Sequence, residues 1–372
     1  MRQTTLLSVL ALSLISTALF ADSTSSNASN VSYSLHPMSR SDSVAKGWTV
    51  DGTFLVWNAK IDGYQFAETV SLKGLIPNTL PTQIDASINC SGLPFDEWDP
   101  GFQIGLGYIF SAREQWHTRL SWTSFSTDSR KTLHLSNPQL SEYIVPLWIN
   151  FLTGPQADRA SARWNLDYDT LDLELSRQFF VGEWLSINPK LGVRGAWINQ
   201  DYHVKYHALF NTGASVFPEA TFFNAAQCFN GVGLKLGSDL QFYICKHLSV
   251  VGNLFTSLLW GSYHLKEKAG GFVFVGSSTN ISETIKIKTS RDMIRANIEG
   301  QVGLKWQQYF HHDQFRFGFA TLYSFSYWFR QNNMINQLAN FAPNLQQPAV
   351  SEVVRSGDLQ LQGVNFQLEL DF

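Results

Sequence analysis

Alternation with a period of two dominates this chain. In residues 293–306, MIRANIEGQVGLKW, one parity carries Ile294, Ala296, Ile298, Gly300, Val302, Leu304 and Trp306. The other carries Met293, Arg295, Asn297, Glu299, Gln301, Gly303 and Lys305. Successive side chains of a strand point to opposite faces, so this segment predicts a strand with one apolar and one polar face. It is longer than the about five or six residues usual in a globular strand. It suffices for a tilted bilayer crossing, which takes roughly 9 to 11.

The pattern recurs over 47–59, 99–110, 116–126, 163–179, 185–203, 229–244, 248–264, 293–306, 314–329 and 359–372. One segment is irregular. In 163–179 the apolar parity passes from Trp164, Leu166 and Tyr168 to Leu171, Leu173 and Leu175, which predicts a β-bulge near Asp169 and Thr170. The connections alternate between short (111–115, 180–184, 245–247, 307–313) and long (60–98, 127–162, 204–228, 265–290, 330–358). Short periplasmic turns and long extracellular loops are the rhythm of an outer-membrane barrel. The fold class is therefore all-β: a transmembrane antiparallel up-and-down β-barrel of about ten strands. Pairing of Phe272–Gly276 with Glu283–Lys288 as a further hairpin would make twelve.

Closure follows because an open edge in hydrocarbon strands N–H and C=O groups, at several kcal/mol each. Trp48, Trp116, Trp164, Trp197, Trp260, Trp306 and Tyr327 lie near segment ends, where aromatic girdles meet headgroups. The competing fold, a soluble β-sandwich, would have to bury the Phe315-to-Phe329 face against a second sheet, with shorter strands.

Composition narrows the class. Charged residues are 15%, against about 25% in soluble domains. Aromatics are 14% and the net charge is −3. Disorder and non-specific nucleic-acid binding are both excluded on that balance. Beyond the N-terminus no apolar run reaches the ~18 residues of a membrane helix.

Residues 1–21 read as a secretory signal peptide, with Arg2, an apolar stretch from Leu6 to Phe20 and cleavage after Ala21. Residues 22–46, rich in Ser and Asn, read as a flexible tail, and 47–372 as the barrel. The Asn-x-Ser sites at Asn27, Asn30, Asn89 and Asn280 are chance matches if the protein is bacterial.

The final segment, GDLQLQGVNFQLELDF, presents Phe366, Leu368, Leu370 and Phe372 on one parity, like the C-terminal assembly signal of bacterial outer-membrane proteins. Together with FNGVGLKLGSDLQFYICKHLSVVGNLFTSLLWG (229–261) and NPKLGVRGAWI (188–198), it resembles the major outer membrane protein-like, pore-forming family of Legionella and chlamydia-related bacteria, over roughly 47–372. The resemblance implies a surface-abundant porin passing small hydrophilic solutes. Its partners would be outer-membrane lipid and the β-barrel assembly machinery, with a homo-oligomer and a monomer equally compatible. Chlamydial members are cysteine-rich, whereas this chain has only Cys90, Cys228 and Cys245. The inferred topology would let Cys90 pair with Cys228 on the outer face, leaving Cys245 in a short turn. Three unpaired thiols are equally compatible.

Parity assigns Arg119, Lys190, Arg194, Lys235, Arg295, Lys305 and Arg316 to the lumen. It adds Asp51, Asp172, Glu174, Asp239, Glu299, Glu369 and Asp371. A balanced lining predicts weak ion selectivity and passage governed by size. The alternative is a solid interior, because barrels of ~8 strands are filled by side chains. The protein would then be a structural envelope barrel or an adhesin, and Arg295 with Glu299 would belong to an internal salt-bridge network. The apolar stretch Tyr143–Ile149 either folds inward as a constriction or packs over the mouth. Gly105, Gly107, Gly192, Gly231, Gly233, Gly237, Gly303 and Gly318 fall mainly on the inward parity, giving lumen volume or relief for close contacts.

No catalytic, cofactor or metal site is assigned. GVGLKLG lacks the strand–turn–helix context of a nucleotide loop. No Gly-x-Ser-x-Gly motif accompanies His117, His134, His203, His207, His247, His264, His311 or His312. His311 and His312 beside Asp313 lack further ligands for a metal. The terminal reading is testable: Phe372→Ser should impair outer-membrane insertion, seen as loss of the heat-modifiable folded band from the outer-membrane fraction, while normal insertion overturns it.

Overall fold

The computed structural model describes residues 47–73, 85–110, 116–135, 142–150, 157–182, 184–211, 216–275, 279–310, 315–340 and 349–372. The expected signal peptide and tail lie outside them. The strands in chain order are β1 (Gly47–Ile61), β2 (Ala67–Lys73), β3 (Asp85–Ser91), β4 (Asp99–Ile109), β5 (Trp116–His134), β6 (Glu142–Pro146), β7 (Ile149–Asn150), β8 (Ala157–Arg177), β9 (Phe179–Val181), β10 (Leu185–Asn211), β11 (Val216–Tyr243), β12 (Leu248–Val275), β13 (Thr279–Phe310), β14 (Phe315–Asn340) and β15 (Ala349–Asp371).

Ten of them form a closed antiparallel ring in the order β1-β4-β5-β8-β10-β11-β12-β13-β14-β15, with β15 pairing back onto β1. The seam is bonded at its end, where Trp48 N–H donates to Phe372 O at 2.7 Å and Phe372 N–H donates to Trp48 O at 2.9 Å. Each of the ten wall strands thus has a paired neighbour on both sides over part of its length. The expected strand number is met, and twelve is corrected to ten. The stretch beginning at Phe272 continues β12 and pairs with the start of β13, Phe272 opposite Ser282, so it lengthens an existing hairpin. The loops expected over 204–228, 265–290 and 330–358 are largely strand for the same reason. Most wall strands run well past the length needed to cross a bilayer, and they range from 11 residues in β4 up to 32 in β13.

The bulge expected near Asp169 and Thr170 is absent, because the registers of β8 with β5 and with β10 run through those residues unbroken. On β8 the even positions from Ala160 to Ser176 all face inward. Trp164 is 1% exposed and Tyr168 2%, so Trp164 is no girdle residue. What changes along the strand is the surroundings. At membrane depth, Leu171, Leu173 and Leu175 face lipid while Asp172 and Glu174 face the interior. Nearer the outer end, Trp164, Leu166 and Tyr168 fill the interior while Arg163 and Asp167 face out, away from the lipid belt.

The same inversion occurs on other strands without a register change. On β12, Leu254, Leu258 and Trp260 face out, followed by outward His264, Lys266 and Lys268 over inward Tyr263 and Leu265. On β10 the outward Leu191, Val193 and Trp197 give way to outward His203 and Lys205 over inward Tyr202, Val204 and Tyr206. Irregularities do occur, between His207 and Ala208 and between Trp328 and Asn332. The second contains Arg330 with a φ of 53°, where β14 breaks parity and turns Met334 and Ile335 into the buried core.

Outside the ring, β3, β2 and β6 form a small sheet joined to β8 through Ile144 opposite Ala157. It carries Tyr64, Phe66 and Trp148, from the flanks of β2 and β6, to the interior. Trp164→Ala should therefore destabilise the folded barrel by about 3–5 kcal/mol, as a large core aromatic does. Trp260→Ala, 64% exposed to the lipid side, should cost much less. Urea midpoints of the two refolded variants compare them directly; equal losses would overturn the inversion.

Candidate functional site

At membrane depth the interior holds an ionic layer around a cavity of about 290 Å³, lined by residues of all ten wall strands. The low-dielectric surroundings make an unpaired charge there costly, and the carboxylates are partnered. Arg119 is bidentate on Asp51, Nε to Oδ1 at 2.8 Å and Nη2 to Oδ2 at 2.6 Å. Lys235 reaches Asp172 and Glu174, both at 2.6 Å. Lys190 pairs with Asp239 at 2.7 Å and Glu174 at 3.4 Å. Arg316 binds Glu369 at 2.5 Å and also Asp371, and Lys305 binds Glu369 at 2.5 Å.

Arg194 is the hub. Its Nε and Nη2 donate to Asp172 at 2.7 Å each. Nη1 donates to Asn297 at 2.9 Å and Glu299 at 2.5 Å, and Nη2 also donates to Glu299 at 2.8 Å. A guanidinium offers five N–H groups in a fixed fork, and here they tie β10 to its neighbour β8 and to β13 across the interior. The expected network of Arg295 with Glu299 is corrected: Glu299 pairs with Arg194, while Arg295, also inward, is in no ion pair among the described residues and sits with its guanidinium carbon 5.7 Å from the Tyr263 ring centroid. Gly105 is small because it must be: a Cβ there would lie 2.3 Å from Asp51 Oδ1, within the Asp51–Arg119 pair. Close contact, rather than lumen volume alone, thus accounts for this inward glycine.

Toward the outer end the ionic layer meets an aromatic one. Trp57 of β1, Phe125 of β5, Tyr168 of β8 and Trp328 of β14 are buried in the interior. Tyr168 and Trp328 approach to 6.0 Å between ring centroids. Their strands are five places apart in a ring of ten, so this contact spans the full bore. Trp57 adds to it, 5.6 Å from Phe125 and 6.4 Å from Tyr168. Above this layer the segment after β1 folds in. Tyr64 stacks on Tyr202 at 4.4 Å and 5°. Its hydroxyl donates to Gln200 at 3.3 Å and accepts from Gln227 at 2.5 Å. Tyr206 donates its hydroxyl to the Phe66 carbonyl. Trp148 stacks on Phe223 at 4.8 Å and donates to Gln65 O at 2.8 Å. Of the alternatives for the Tyr143–Ile149 stretch, Ile144 and Trp148 thus follow the inward one.

The lumen charges expected from parity, namely Arg119, Lys190, Arg194, Lys235, Asp239, Arg295, Glu299, Lys305 and Arg316, lie inside the barrel, the acidic partners with them. Phe366, Leu368, Leu370 and Phe372 face out on the closing strand. Tyr64 and Phe66 escaped the sequence reading, which placed them in a loop; the signal available was an apolar pair just after the turn glycine Gly63, whose φ is 88°.

Of the two arrangements left open for the cysteines, the Cys90–Cys228 bridge is not formed: all three thiols are free. Cys90 is on β3, outside the ring, and its thiol donates to Glu68 at 3.5 Å, a bond that raises its pKa. Cys228 is not in a loop but in the wall strand β11, with its thiol on Asn230. At the outer rim the Arg130 hydrogen bond, at 2.8 Å, holds the Asp128 carboxyl below its ordinary range. The histidines are dispersed: His117 lines the cavity, His134, His203, His207 and His264 are exposed on β5, β10 and β12, and His247 lies in the turn before β12. His311 and His312 lie outside the described residues. Among the described residues no group of three or more His, Cys, Asp or Glu converges on a metal position.

A family model described as the Legionella pneumophila major outer membrane protein precursor matches residues 42–372. The chain belongs to that family. As a member, it is a bacterial outer-membrane protein. No curated protein matches the chain. Solved barrels are similar in a general way: the outer membrane protease OmpT of Escherichia coli at 8% identity and TM-score 0.32, covering 87% of this chain and 96% of that one. The attachment invasion locus protein Ail of Yersinia pestis, in complex with the heparin analogue sucrose octasulfate, shows 11% identity, TM-score 0.21 and coverage of 61% and 94%. A Pseudomonas aeruginosa FadL homologue shows 7% identity, TM-score 0.23 and coverage of 88% and 90%.

Asp172 is buried and keeps only Lys235 when Arg194 is removed, and Glu299, whose ion pair among the described residues is with Arg194, keeps none. Arg194→Ala should destabilise this family member by about 3–5 kcal/mol. Combining it with Asp172→Asn and Glu299→Gln should restore part of that loss, as read from denaturant midpoints of the refolded proteins.

Proposed function

We propose that the protein is an outer-membrane barrel closed to free diffusion at rest, serving as a structural and surface-exposed element of the envelope. One observation carries this reading: the Tyr168–Trp328 contact joins opposite walls, beneath the plug of Tyr64, Phe66 and Trp148. Small barrels fill their bore with side chains, and ten strands is near that limit. The wall-derived layer means that displacing the plug alone leaves the bore obstructed. The outward apolar parity of the last strand supports its role as the assembly signal read by the β-barrel assembly machinery.

A second reading, a channel for small hydrophilic solutes, is favoured by the charged cavity beneath the seal. Its lining pairs cations with anions, which supports weak charge selectivity once a path exists. Passage would then require the aromatic layer to move. Single-channel recording separates the two. The refolded wild-type chain should give rare or no openings, and the Tyr168→Ala/Trp328→Ala variant with residues 63–66 replaced by Gly and Ser should conduct steadily with little ion preference. Steady stepwise conductance of the wild-type chain would overturn the closed reading in favour of the channel.

A further inference from the structure

Beyond the lipid belt the outward face of the β12–β13 hairpin turns basic. The last apolar outward pair is Trp260 opposite Ile294, 64% and 62% exposed. Moving outward, the pairs are Ser262–Asp292, His264–Ser290, Lys266–Lys288 and Lys268–Lys286. All four lysines are exposed. Directly opposite residues have Cβ atoms about 4.5–5.5 Å apart, and like charges so placed repel. Among the described residues the ion pairs are made by other groups, and none involves these lysines. Lys268 lies 5.4 Å from the Phe222 ring centroid. The row of Lys268 continues through Asn224 to His203 on β10, and Lys205 stands one row further out. Among the described residues the nearby outward carboxylates are Asp201, two strands away in the Lys266 row, and Asp292, two outward pairs nearer the belt than Lys288.

Height identifies the partner. Lys266 is six residues beyond Trp260 (266 minus 260), about 20 Å along a strand at ~3.3 Å per residue. With a tilt of about 40° that is roughly 15 Å above the apolar belt. The groups at that height around a barrel in a bacterial outer membrane are the phosphorylated, acidic sugars of the outer-leaflet glycolipid. Two lysine pairs supply the point charges such groups require, and each basic side chain near an anionic membrane surface adds to the attraction. We propose that Lys266, Lys268, Lys286 and Lys288 form a docking surface for the phosphate and carboxylate groups of lipopolysaccharide surrounding the barrel.

A competing role exists. β13 pairs with β14 only from Asn297 onward, so its lysine-bearing part is a sheet edge among the described residues. Lysines also deter edge-to-edge pairing. The experiment separates these roles using the full refolded chain in zwitterionic detergent. The probes are intact lipopolysaccharide, dephosphorylated lipopolysaccharide and heparin. The K266Q/K268Q/K286Q/K288Q variant, checked for folding by heat-modifiable migration, should bind intact lipopolysaccharide at least about tenfold more weakly than wild type. The corresponding fourfold Lys→Arg variant should bind as wild type does, and dephosphorylated lipopolysaccharide should bind wild type weakly. Equal binding by the Gln variant overturns the proposal. So does self-association of that variant with lipopolysaccharide binding unchanged, which assigns the lysines to edge protection. Heparin binding as tight as that of lipopolysaccharide also overturns it, in favour of a soluble polyanion. If the fourfold variant does not fold, K286Q/K288Q carries the same comparison with a smaller reduction.

Discussion

Hydrocarbon offers a peptide group no hydrogen-bond partner, and this single fact organises the molecule. Each wall strand must find neighbours on both sides along its whole membrane-embedded length. The seam between β1 and β15 is the bond that closes the ring. Once it is closed, every strand has an oily side and an inner side, and chemistry is divided between them. Charge cannot face lipid without large cost, so the charges of the embedded segments collect inside. There most of them neutralise one another in ion pairs.

That pairing explains the cross-bracing. Arg194 joins β8, β10 and β13, and Lys235 joins β11 to β8. A buried ion pair is not by itself strong evidence of stability, since desolvation offsets much of the attraction. Its structural consequence is geometric. Fork-shaped donors fix the separation of strands that never pair, and so hold the cross-section of the bore.

Away from the lipid the constraint reverses. The protruding wall is wetted on its outer surface, and its interior becomes the place where apolar side chains escape water. Aromatic rings take that space because they fill it with few rotatable bonds and still offer polar tips, as Tyr64, Tyr202 and Tyr206 do. The seal and the ionic layer are therefore two answers to one question: which side of the wall is wet. The lysine rows of β12 and β13 belong to the same change of surroundings, carried to the outer surface.

Strand number, outward faces and the identity of the inward charges were legible in the sequence because alternation is local and lipid lies on one side only. Segment 293–306 could be read without knowing any partner. The alternation misled where the surroundings changed: on β8 a switch from Trp164, Leu166 and Tyr168 to Leu171, Leu173 and Leu175 looked like a bulge, yet the backbone is regular and only the medium differs. Pairings within the bore were not legible. Trp57 meets Asn365, 308 positions away, and Tyr168 meets Trp328 only because ring closure brings opposite walls together. Sequence alone thus determined which residues face out within the apolar belt, as Leu171, Leu173 and Leu175 do. Tertiary structure decided which side chains fill the bore, since that depends on the ring's diameter and on loop segments such as Tyr64–Phe66 and Trp148, whose destination no local pattern encodes.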